Sequence, residues 1–541
     1  MTARALYLAG LSFLAFAAPA QAQQNQGAVN EAENPEAARG EAPGQDAIVV
    51  TGTRRTDRTV VNSPVPVDVI AAESLQNSGH TEVNRALTQE VPSFNFPQPS
   101  ITDGTDVIRP ATLRGLGPDQ TLVLINGKRR HTSALLNING SVGRGTSAVD
   151  VNLIPSLALS RVEVLRDGAA AQYGSDAIAG VINFHLRSAP TGGQFSLTYG
   201  RYDTRVEDME TYSGVAVGPG NTAITAPDGT LVLNYTGNDR RRTDGRTVTM
   251  AGVMAIPLFA DGFFNIAGEI QDREDTNRTG ADPRRQYNFV TGTVLDPREL
   301  TFNRFSHRYG DPEVFDAKLF INAGAQLTDA IEVYTFGSYN DRQGESAGFY
   351  RLANDARNFP AIYPNGFLPL ITTDTDDFSA TVGLRGEMAG WRWDLSGQQG
   401  LNRVDFKIKN SLNRSFGAAS PTQFDSGGLR YSQTLFNLDL SRDVALGFAQ
   451  KSTLSVGAEY RRERFDIRPG EFLSYANGPA GGAPGAQVFP GFQPIIGGVR
   501  VDEPHKRHNW SAYAEFDTDI TERINVAAAL RYEDYSDFGS D

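Results

Sequence analysis

Histidine is the side chain best suited to proton transfer or metal binding near neutral pH, and this chain of 541 residues has 6 of them. They are far apart along the chain: His80, His131, His185, His307, His505 and His508. The pair His505 and His508 stands beside Lys506 and Arg507, and such a cationic stretch is more often solvated surface than a metal site. The sequence therefore predicts no metal centre and no cofactor.

Other groups that could perform catalysis are also missing from the sequence. There is no cysteine, and hence no thiolate nucleophile, thiolate metal ligand or disulfide framework. The chain has no Walker-type phosphate loop and no His-Glu-x-x-His helix. The net charge is −13 with both signs interspersed, which disfavours a nucleic-acid partner. We therefore expect a protein that binds and moves a ligand, not an enzyme.

The N-terminus has the features of an export signal. Arg4 is followed by an apolar run from Ala5 to Ala18 and by the small-residue pattern Ala20-Gln21-Ala22. This predicts a secretory signal peptide over residues 1–22, too short to span a bilayer as a mature helix. Residues 23–58 are then a flexible tether, since Gln23 to Gln45 has almost no large apolar side chain.

One β-prone run interrupts this tether, within residues 46–55. Ile48, Val49, Val50 and Thr51 would form an exposed strand, which is an aggregation hazard unless another strand pairs with it. One reading is that it is simply the first strand of the following domain. The other is β-augmentation, in which the segment adds to the sheet of a partner through main-chain hydrogen bonds.

Residues 59–190 mix short strands, short helices and turns. Pro66–Ile70 reads as a strand, Thr81–Leu87 as a helix with Thr81 as its N-cap, and Asn126-Gly127 as a hairpin turn. The stretch from Arg161 to Phe184 reads as a strand, a small-residue turn and a second strand. Its glycines at 168, 174 and 180 indicate close backbone approach, so we expect a compact α+β domain.

The pattern changes near Pro190, which predicts a second domain over residues 191–541. Apolar side chains there occupy every second position: Trp391, Trp393 and Leu395 alternate with Arg392, Asp394 and Ser396. Segments of about ten residues with this parity and terminal aromatics, such as Tyr460 and Phe516, suit tilted transmembrane strands. A soluble sandwich also alternates, but its strands are usually shorter.

Long and short connections alternate between these segments. Four long polar stretches should face the cell exterior, because outer-membrane barrels have long outer loops and short periplasmic turns. These stretches are Gln271–Asp311, Asp341–Asp374, Asn410–Gly428 and Arg464–His508. We count roughly fourteen strands after residue 190. The chain ends at Phe538-Gly539-Ser540-Asp541 without a terminal aromatic strand, so we expect the barrel to be incomplete at its C-terminus.

Five motifs in a fixed order resemble the plug of TonB-dependent outer-membrane receptors. They are Leu113-Arg114-Gly115-Leu116-Gly117, Leu122 to Arg129, Leu153-Ile154-Pro155, Val162 to Gly168, and Ala179 to Phe184. The sequence has Asp167-Gly168 where many family members have Gly-Pro. The resemblance implies an α+β plug inside an antiparallel transmembrane β-barrel, which in these transporters has 22 strands. It also implies an outer-membrane location and TonB-driven uptake of a scarce siderophore, vitamin or oligosaccharide.

The resemblance also suggests roles for particular residues. Residues 46–55 are similar to the TonB box, so that Ile48 to Thr51 would bind TonB, which works with an inner-membrane energising complex. Further partners would be the outer-membrane lipid and a small-molecule ligand. Arg114 and Arg166 match arginines that face the barrel in family plugs, and Glu459 and Glu515 are their expected partners.

Ligand contacts should come from the outward-facing plug segments and the long loops. The candidates combine aromatic and cationic groups: Phe94, Phe96, Arg129, Arg130, His131, Tyr350 and Arg351. Two other functions remain open. One is a passive porin-like or adhesin barrel with an added N-terminal domain, and the other is a soluble, secreted, β-rich hydrolase.

Overall fold

The computed structural model describes residues 51–55, 57–60, 63, 65–138, 141–447, 449–521 and 523–540. The predicted signal peptide and the residues Ile48, Val49 and Val50 lie outside the described part of the chain, whereas Thr51 lies within it. Across these described residues, no helix has both the length and the apolar character needed to span a membrane.

Residues up to 187 fold into a small α+β unit, which we call the plug. Its described helices are α1 (Ala72–Asn77), α2 (Val83–Glu90), α3 (Thr105–Ile108) and α4 (Ala170–Tyr173). Its described strands are β1 (Val67–Ala71), β2 (Phe94–Asn95), β3 (Thr112–Leu113), β4 (Thr121–Ile125), β5 (Lys128–Arg129), β6 (Leu159–Leu165) and β7 (Gly180–Leu186).

Five of these strands form the central sheet of the plug, in the order β1-β6-β7-β4-β5. The predicted strand–turn–strand unit is confirmed, since β6 and β7 pair antiparallel and α4 lies in the turn between them. Gly180 has φ 142°, and a Cβ there would lie 2.2 Å from the carbonyl oxygen of Leu165. Only glycine lets these two backbones approach so closely. The Asn126-Gly127 hairpin is also confirmed, with both residues at positive φ between β4 and β5.

The predicted helix near residue 81 forms, but its N-terminus differs from the prediction. Helix α2 begins at Val83 with Glu82 as its N-cap, so the expectation of Thr81 as N-cap is wrong. The Thr81 hydroxyl instead accepts a hydrogen bond from Gln271 Nε2, and the Glu82 carboxylate meets arginines. Long-range polar contacts therefore outweigh the local capping preference here.

The second part of the chain forms a large antiparallel sheet, which we call the barrel sheet. Its described strands are β8 (Gly192–Val215), β11 (Leu233–Leu258), β12 (Gly262–Arg273), β13 (Glu313–Thr328), β14 (Ile331–Ala347), β15 (Leu370–Met388), β16 (Trp391–Lys409), β17 (Phe424–Asp443), β18 (Lys451–Arg468), β21 (His505–Thr521), β22 (Ile524–Tyr535) and β23 (Gly539–Ser540). The connections contain two further hairpins and a short helix: β9 (Val217–Gly218) with β10 (Thr222–Ala223), β19 (Ile495–Ile496) with β20 (Val499–Arg500), and α5 (Phe472–Tyr475).

Strands of the barrel sheet pair in chain order, and within the described residues β8 and β23 form its two edges. The sheet contains 12 strands where the sequence suggested roughly fourteen. The difference arises because the strands are longer than the ten-residue segments visible in the pattern. Strand β11, for example, has 26 residues. Alternation continues beyond the thickness of a bilayer, so each strand uses more of the chain.

The two faces of the barrel sheet follow the predicted parity. On β16, Leu395 and Leu401 are exposed on the outer face, whereas Ser396 and Asn402 are buried on the inner face. Apolar residues on the inner face also join the plug core, as Phe320 and Phe336 do. The barrel sheet therefore presents apolar groups outward and a mainly polar face toward the plug.

Long and short connections also alternate as predicted. The long ones span residues 216–232, 274–312, 348–369, 410–423 and 469–504, and they all leave the same end of the sheet. The last four lie within the four predicted stretches or nearly coincide with them, whereas 216–232 was not predicted. The turns at the other end are short, such as Ala389-Gly390 between β15 and β16. The long-loop end is the one that outer-membrane barrels present to the exterior.

The close approach at Gly180 generates a stability prediction. Replacing Gly180 with alanine should lower the free energy of unfolding of the plug by about 1–3 kcal/mol, since the φ value excludes a side chain and the Cβ overlaps Leu165. Denaturant unfolding monitored by plug proteolysis measures the effect. Gly200→Ala in β8 is the matched control, because no atom lies within 4 Å of its Cβ position. Equal stability of the two variants would contradict the prediction.

Candidate functional site

The candidate site is the contact between the plug and the inner face of the barrel sheet, where buried charges of the two parts meet. Near the long-loop end, Glu82 of the plug contacts Arg85 at 2.6 Å, Arg109 at 3.2 Å and Arg273 of β12 at 2.9 Å. Asp311, just before β13, binds Arg85 and Arg109 at 2.8 and 2.6 Å. Burial alone would raise the pKa of Glu82, but these guanidinium groups hold it well below its ordinary value. The carboxylate is therefore ionised, and it joins α2 to the inner face of the barrel sheet, which we call the wall.

A second contact lies deeper, where the plug segment after β5 meets β15. Asp377 accepts hydrogen bonds from Arg130, from His131 Nε2 at 2.9 Å and from Asn402 at 2.9 Å. His131 fits against the wall because position 400 is glycine, where a Cβ would lie 2.5 Å from the imidazole ring. Arg130 and Asp377 are both buried, so neither charge can be removed without leaving the other unpaired.

Three residues expected to bind ligand therefore lie inside the protein. Arg130 and His131 pair with Asp377, and Arg129 pairs with Asp176 and donates to the carbonyl oxygen of Tyr173. They were expected at the outer surface, as part of the outward-facing plug segments. The hairpin instead lies along the barrel wall, where Lys128 and Arg130 pair with wall carboxylates, while Arg129 pairs with Asp176 of the plug.

A chain of alternating charges lines the inner wall beside this contact. Arg342 of β14 bridges Asp150 of the plug at 2.5 Å and Asp316 of β13 at 2.7 Å. Lys318 binds Glu269 at 2.6 Å and lies 3.6 Å from Asp316. Burial raises the pKa of Asp150 to about 6, although the Arg342 guanidinium opposes the shift. This plug carboxylate therefore loses its charge at a higher pH than an ordinary aspartate does.

A third contact lies near the short-turn end. Lys128 Nζ of β5 sits between Asp394 at 2.9 Å and Asp439 at 3.3 Å. Tyr334 donates its hydroxyl proton to Asp394 at 2.8 Å, and Tyr513 donates to Asp439 at 2.6 Å. Each carboxylate thus has a cation from the plug and a phenol from the wall.

Two glycines make room for these phenols. A Cβ at Gly383 would lie 2.3 Å from the Tyr334 ring, and one at Gly457 would lie 2.3 Å from the Tyr513 ring. Both tyrosines therefore lie flat across the neighbouring strand, as aromatic residues do when they cover a glycine in a sheet. The rings hold the two hydroxyls toward the aspartates.

The segment that follows the β-prone run is tied to the plug. The Thr51 backbone N–H and hydroxyl both donate to Glu163 Oε2, at 2.9 and 2.6 Å, and Asn183 donates to the Thr51 hydroxyl at 3.1 Å. Burial alone would raise the pKa of Glu163, but His185, Thr51 and Arg161 together lower it to about 2. Thr51 is thus held by an ionised, fully buried carboxylate in β6.

The next few residues are tied to the barrel sheet instead. Arg55 lies 2.6 Å from Asp519 and 3.4 Å from Asp517, and Arg58 lies 3.0 and 2.7 Å from the same two carboxylates. Both aspartates belong to β21. The sequence analysis missed this pair of arginines, although a dense run of charges directly after a β-prone segment was a visible signal. Its partners, more than 450 positions away, were not visible.

The two arginines expected to lock the plug have other partners in the described structure. Arg114 lies 3.7 Å from Asp167, and Arg166 lies 2.8 Å from Asp68. All four residues belong to the plug and are partly exposed to solvent. The two arginines therefore pair within the plug and not with the barrel glutamates that were expected. The parity of a strand shows which face a side chain lies on, but it does not show its position along the barrel axis.

The two expected glutamates do lie on the inner face, as their parity predicts. Glu459 accepts a hydrogen bond from Asn437 at 2.9 Å and lies 3.8 Å from Arg531. Glu515 is buried beside Gln172 of the plug. Both carboxylates are thus wall groups near the short-turn end, with different neighbours from those expected.

Of the other ligand-contact candidates, Phe94 and Phe96 are buried in the plug core and Arg351 is buried under a loop. Tyr350 lies in a cluster of loop aromatics, 6.0 Å from the His307 ring and 6.1 Å from the Phe302 ring. The cluster contains Tyr287, Phe302, His307, Tyr309, Phe349 and Tyr350. Tyr309 and Phe349 are its exposed members. The loops rather than the plug therefore offer aromatic surface to the exterior.

One sequence match to a catalytic motif was overlooked. Gly344-Glu345-Ser346-Ala347-Gly348 has the Gly-x-Ser-x-Gly spacing of a hydrolase nucleophile elbow. That motif requires a sharp strand-to-helix turn that exposes the serine, whereas Ser346 is buried within the regular strand β14. Across the described residues, no group of three or more His, Asp and Glu side chains is arranged to hold a metal ion.

The geometry agrees with two protein-family models. Residues 59–181 match the TonB-dependent receptor plug domain, and residues 318–541 match the β-barrel of TonB-dependent receptors. The chain belongs to the TonB-dependent receptor family. The barrel sheet with the plug against its polar face is the fold of these receptors.

Individual relatives match the chain over limited lengths. It is 30% identical over 158 residues to a probable TonB-dependent siderophore receptor PirA from Acinetobacter baumannii, covering 29% of this chain and 21% of that protein. It is 29% identical over 180 residues to the vitamin B12 transporter BtuB from Vibrio cholerae, covering 33% and 26%. The chain thus matches about a quarter or less of the length of these curated relatives.

Structural similarity covers more of the chain than sequence similarity does. A ferric enterobactin receptor from Pseudomonas aeruginosa, solved with enterobactin, superposes with a TM-score of 0.57 at 16% identity over 88% of this chain and 59% of that one. At this identity the likeness concerns the fold alone.

The buried ion pair beneath the β5 hairpin of this receptor should be strongly stabilising. Asp377→Ala leaves Arg130 buried without its carboxylate and should lower the free energy of unfolding by about 3–5 kcal/mol. The matched control is Asp374→Ala, three residues earlier on β15, whose partner Lys407 is more than half exposed. That change should cost less than about 1 kcal/mol. Thermal unfolding in detergent compares the two variants, and equal losses would contradict the assignment.

The Thr51–Glu163 contact should depend on pH. The pKa of Glu163 is lowered from 4.5 to about 2 in the folded plug, so its contribution is complete above about pH 4.5 and is lost as the pH falls toward 2. Hydrogen exchange of residues 51–55, corrected for the intrinsic rate, should accelerate over this interval. Glu163→Gln should exchange rapidly already at pH 7 and lose the pH dependence. Protection that persists in Glu163→Gln would show that other groups hold Thr51.

Proposed function

We propose that this protein is an outer-membrane transporter that takes up a scarce small-molecule ligand with energy supplied through TonB and its inner-membrane complex. The observation that carries the proposal is the position of Thr51. It is the last of the four residues, Ile48 to Thr51, that are expected to bind TonB, and a buried carboxylate of the plug holds it. A pull on this segment therefore acts first on the contact between Thr51 and Glu163 of β6, an interior strand of the plug sheet.

The kind of contact between plug and wall supports movement of the plug. Ion pairs between a carboxylate and an arginine or lysine are strong when water is excluded, and they are weakened when water enters or a group is displaced. The pairs around Glu82, Asp377 and Lys128 have this chemistry. A plug held by apolar packing alone would lose more on displacement, because water cannot replace apolar contacts. Polar contacts let the plug be firm at rest and movable under load.

The ligand class is proposed from the relatives and from the outer loops. Named relatives include a siderophore receptor and a vitamin B12 transporter. Tyr309 and Phe349 expose ring faces at the loop end, and such faces can stack on aryl groups, a chelate or sugars. A siderophore, vitamin or oligosaccharide is therefore the class of ligand that we propose, with Tyr350 as a supporting member of the aromatic cluster.

The location is proposed from the export signal and the sheet. Residues 1–22 have the pattern of a secretory signal peptide, and the barrel sheet carries apolar side chains on its outer face. Together they favour export followed by insertion in the outer membrane of a Gram-negative cell, where TonB can reach the N-terminal segment from the periplasm.

Deleting Ile48–Thr51 tests energised transport against a passive barrel. Cells producing the deletion variant should lose uptake of labelled ferric enterobactin or vitamin B12, whichever the parent protein transports, and should retain binding at the cell surface. Deleting four tether residues, Asn30–Glu33, is the matched control and should leave uptake unchanged. Uptake that continues without Ile48–Thr51 would support the passive porin-like alternative and remove the proposal.

A further inference from the structure

Two cavities of different size meet at Arg54. The outer one has a volume of about 840 Å³ and opens at the short-turn end of the barrel sheet, where Glu332, Arg392 and Trp393 line it. The inner one has a volume of about 70 Å³ and lies between the plug and the wall, where Leu124, Gln172 and Asn437 line it. Arg54, Asp439 and Tyr513 line both cavities. These three side chains therefore form the partition between them.

Arg54 is the member of this partition that does not belong to the barrel wall. Among the described residues around the outer cavity, it alone comes from the N-terminal part of the chain, and all the others belong to the barrel sheet or its turns. Asp439 is on β17 and Tyr513 is on β21, so both are fixed in regular strands. A movement of the N-terminal segment would displace Arg54 and leave the other two in place.

The contacts of Arg54 are suited to release. Its guanidinium lies 4.8 Å from the Tyr513 ring centroid, 5.5 Å from that of Tyr173, and 3.4 Å from Asp439 Oδ1. When Arg54 leaves, Asp439 still has Lys128 at 3.3 Å and the Tyr513 hydroxyl at 2.6 Å. Its charge stays compensated, so opening avoids the large penalty of an unpaired buried ion.

The chain on both sides of Arg54 directs a pull to this residue. Thr51 is three residues away, a span of at most about 11 Å when fully extended. Gly52 is also bonded to the plug, since its N–H donates to the Tyr173 hydroxyl at 3.0 Å and its carbonyl oxygen accepts from Gln172 at 3.3 Å. Once these contacts and the Thr51–Glu163 contact have broken, tension reaches Arg54. Arg55 and Arg58 are held by Asp517 and Asp519 of the wall, so these ion pairs take the load before it reaches β1, the next plug strand along the chain. A force too small to break the ion pairs of Arg55 and Arg58 can therefore move Arg54 and leave the rest of the plug in place.

We propose that Arg54 is a gate residue, whose withdrawal joins the two cavities into a path between the plug and the strands β14–β18 and β21 on the periplasmic side. The proposal rests on the proposed function, since it assigns the route by which a transported ligand leaves the plug–barrel contact. Arg54 acts by blocking space and not by binding the ligand.

Thiol labelling of the purified full-length chain tests the gate, because the protein has no cysteine of its own. The reporter is Asn437→Cys, whose side chain lines the inner cavity. The probe is a trimethylammonium methanethiosulfonate reagent. Adding Arg54→Ala should raise the labelling rate about tenfold, since two cation–π contacts and one ion pair no longer have to break for entry. The control Arg392→Ala alters the outer cavity alone and should leave the rate unchanged.

A second reporter distinguishes an open gate from a loosened plug. Ser338→Cys replaces the hydroxyl that accepts from Arg130, and it should stay slow to label with or without Arg54. If Arg54→Ala left the labelling rate at Asn437→Cys unchanged, or raised the rate at Ser338→Cys in parallel, the proposal that Arg54 is a gate residue would be contradicted. Labelling requires neither TonB nor ligand. An unchanged labelling rate would therefore contradict the gate without contradicting the transport proposal. Uptake that continues after deletion of Ile48–Thr51 would contradict the transport proposal without changing the labelling result.

Discussion

The structure depends on one constraint: charged side chains that line the inner wall of the barrel sheet are buried by the plug and must find opposite charges on it. A buried ion that loses its partner costs several kcal/mol, so plug and wall can meet only where their charges match. Asp377 with Arg130, Asp394 with Lys128, and Glu82 with Arg273 are three such matches at three heights of the wall. The seating of the plug follows from these matches, while apolar residues such as Phe336 fill the space between them.

The same constraint explains how one segment is attached to both parts of the fold. Thr51 is fixed by Glu163 and Asn183 of the plug, whereas Arg55 and Arg58 share two carboxylates of the wall. Local chemistry thus divides the N-terminal segment into a part held by the plug and a part held by the barrel sheet.

The parity of the later strands and the Asn126-Gly127 hairpin could be read from the sequence, since both are local. A period of two fixes which side chains face lipid, and positive φ at two adjacent residues requires Asn-Gly chemistry. Strand length, the N-cap of α2 and the partners of Arg114 and Arg166 could not be read in this way. The Glu82 cap, for example, is chosen by Arg109 and Arg273, which are distant in sequence.

The sequence by itself determined the two-domain order, the antiparallel barrel sheet, the face on which each barrel residue lies and the family, because these depend on periodicity and on motifs in consecutive residues. Only the tertiary structure decided which charges meet. It placed Arg130 and His131 on Asp377, Thr51 on Glu163 and Arg54 at the boundary of two cavities. The reason is physical: an ion pair is selected by the distance between its charged atoms after folding, and alternation along a strand carries no information about that distance.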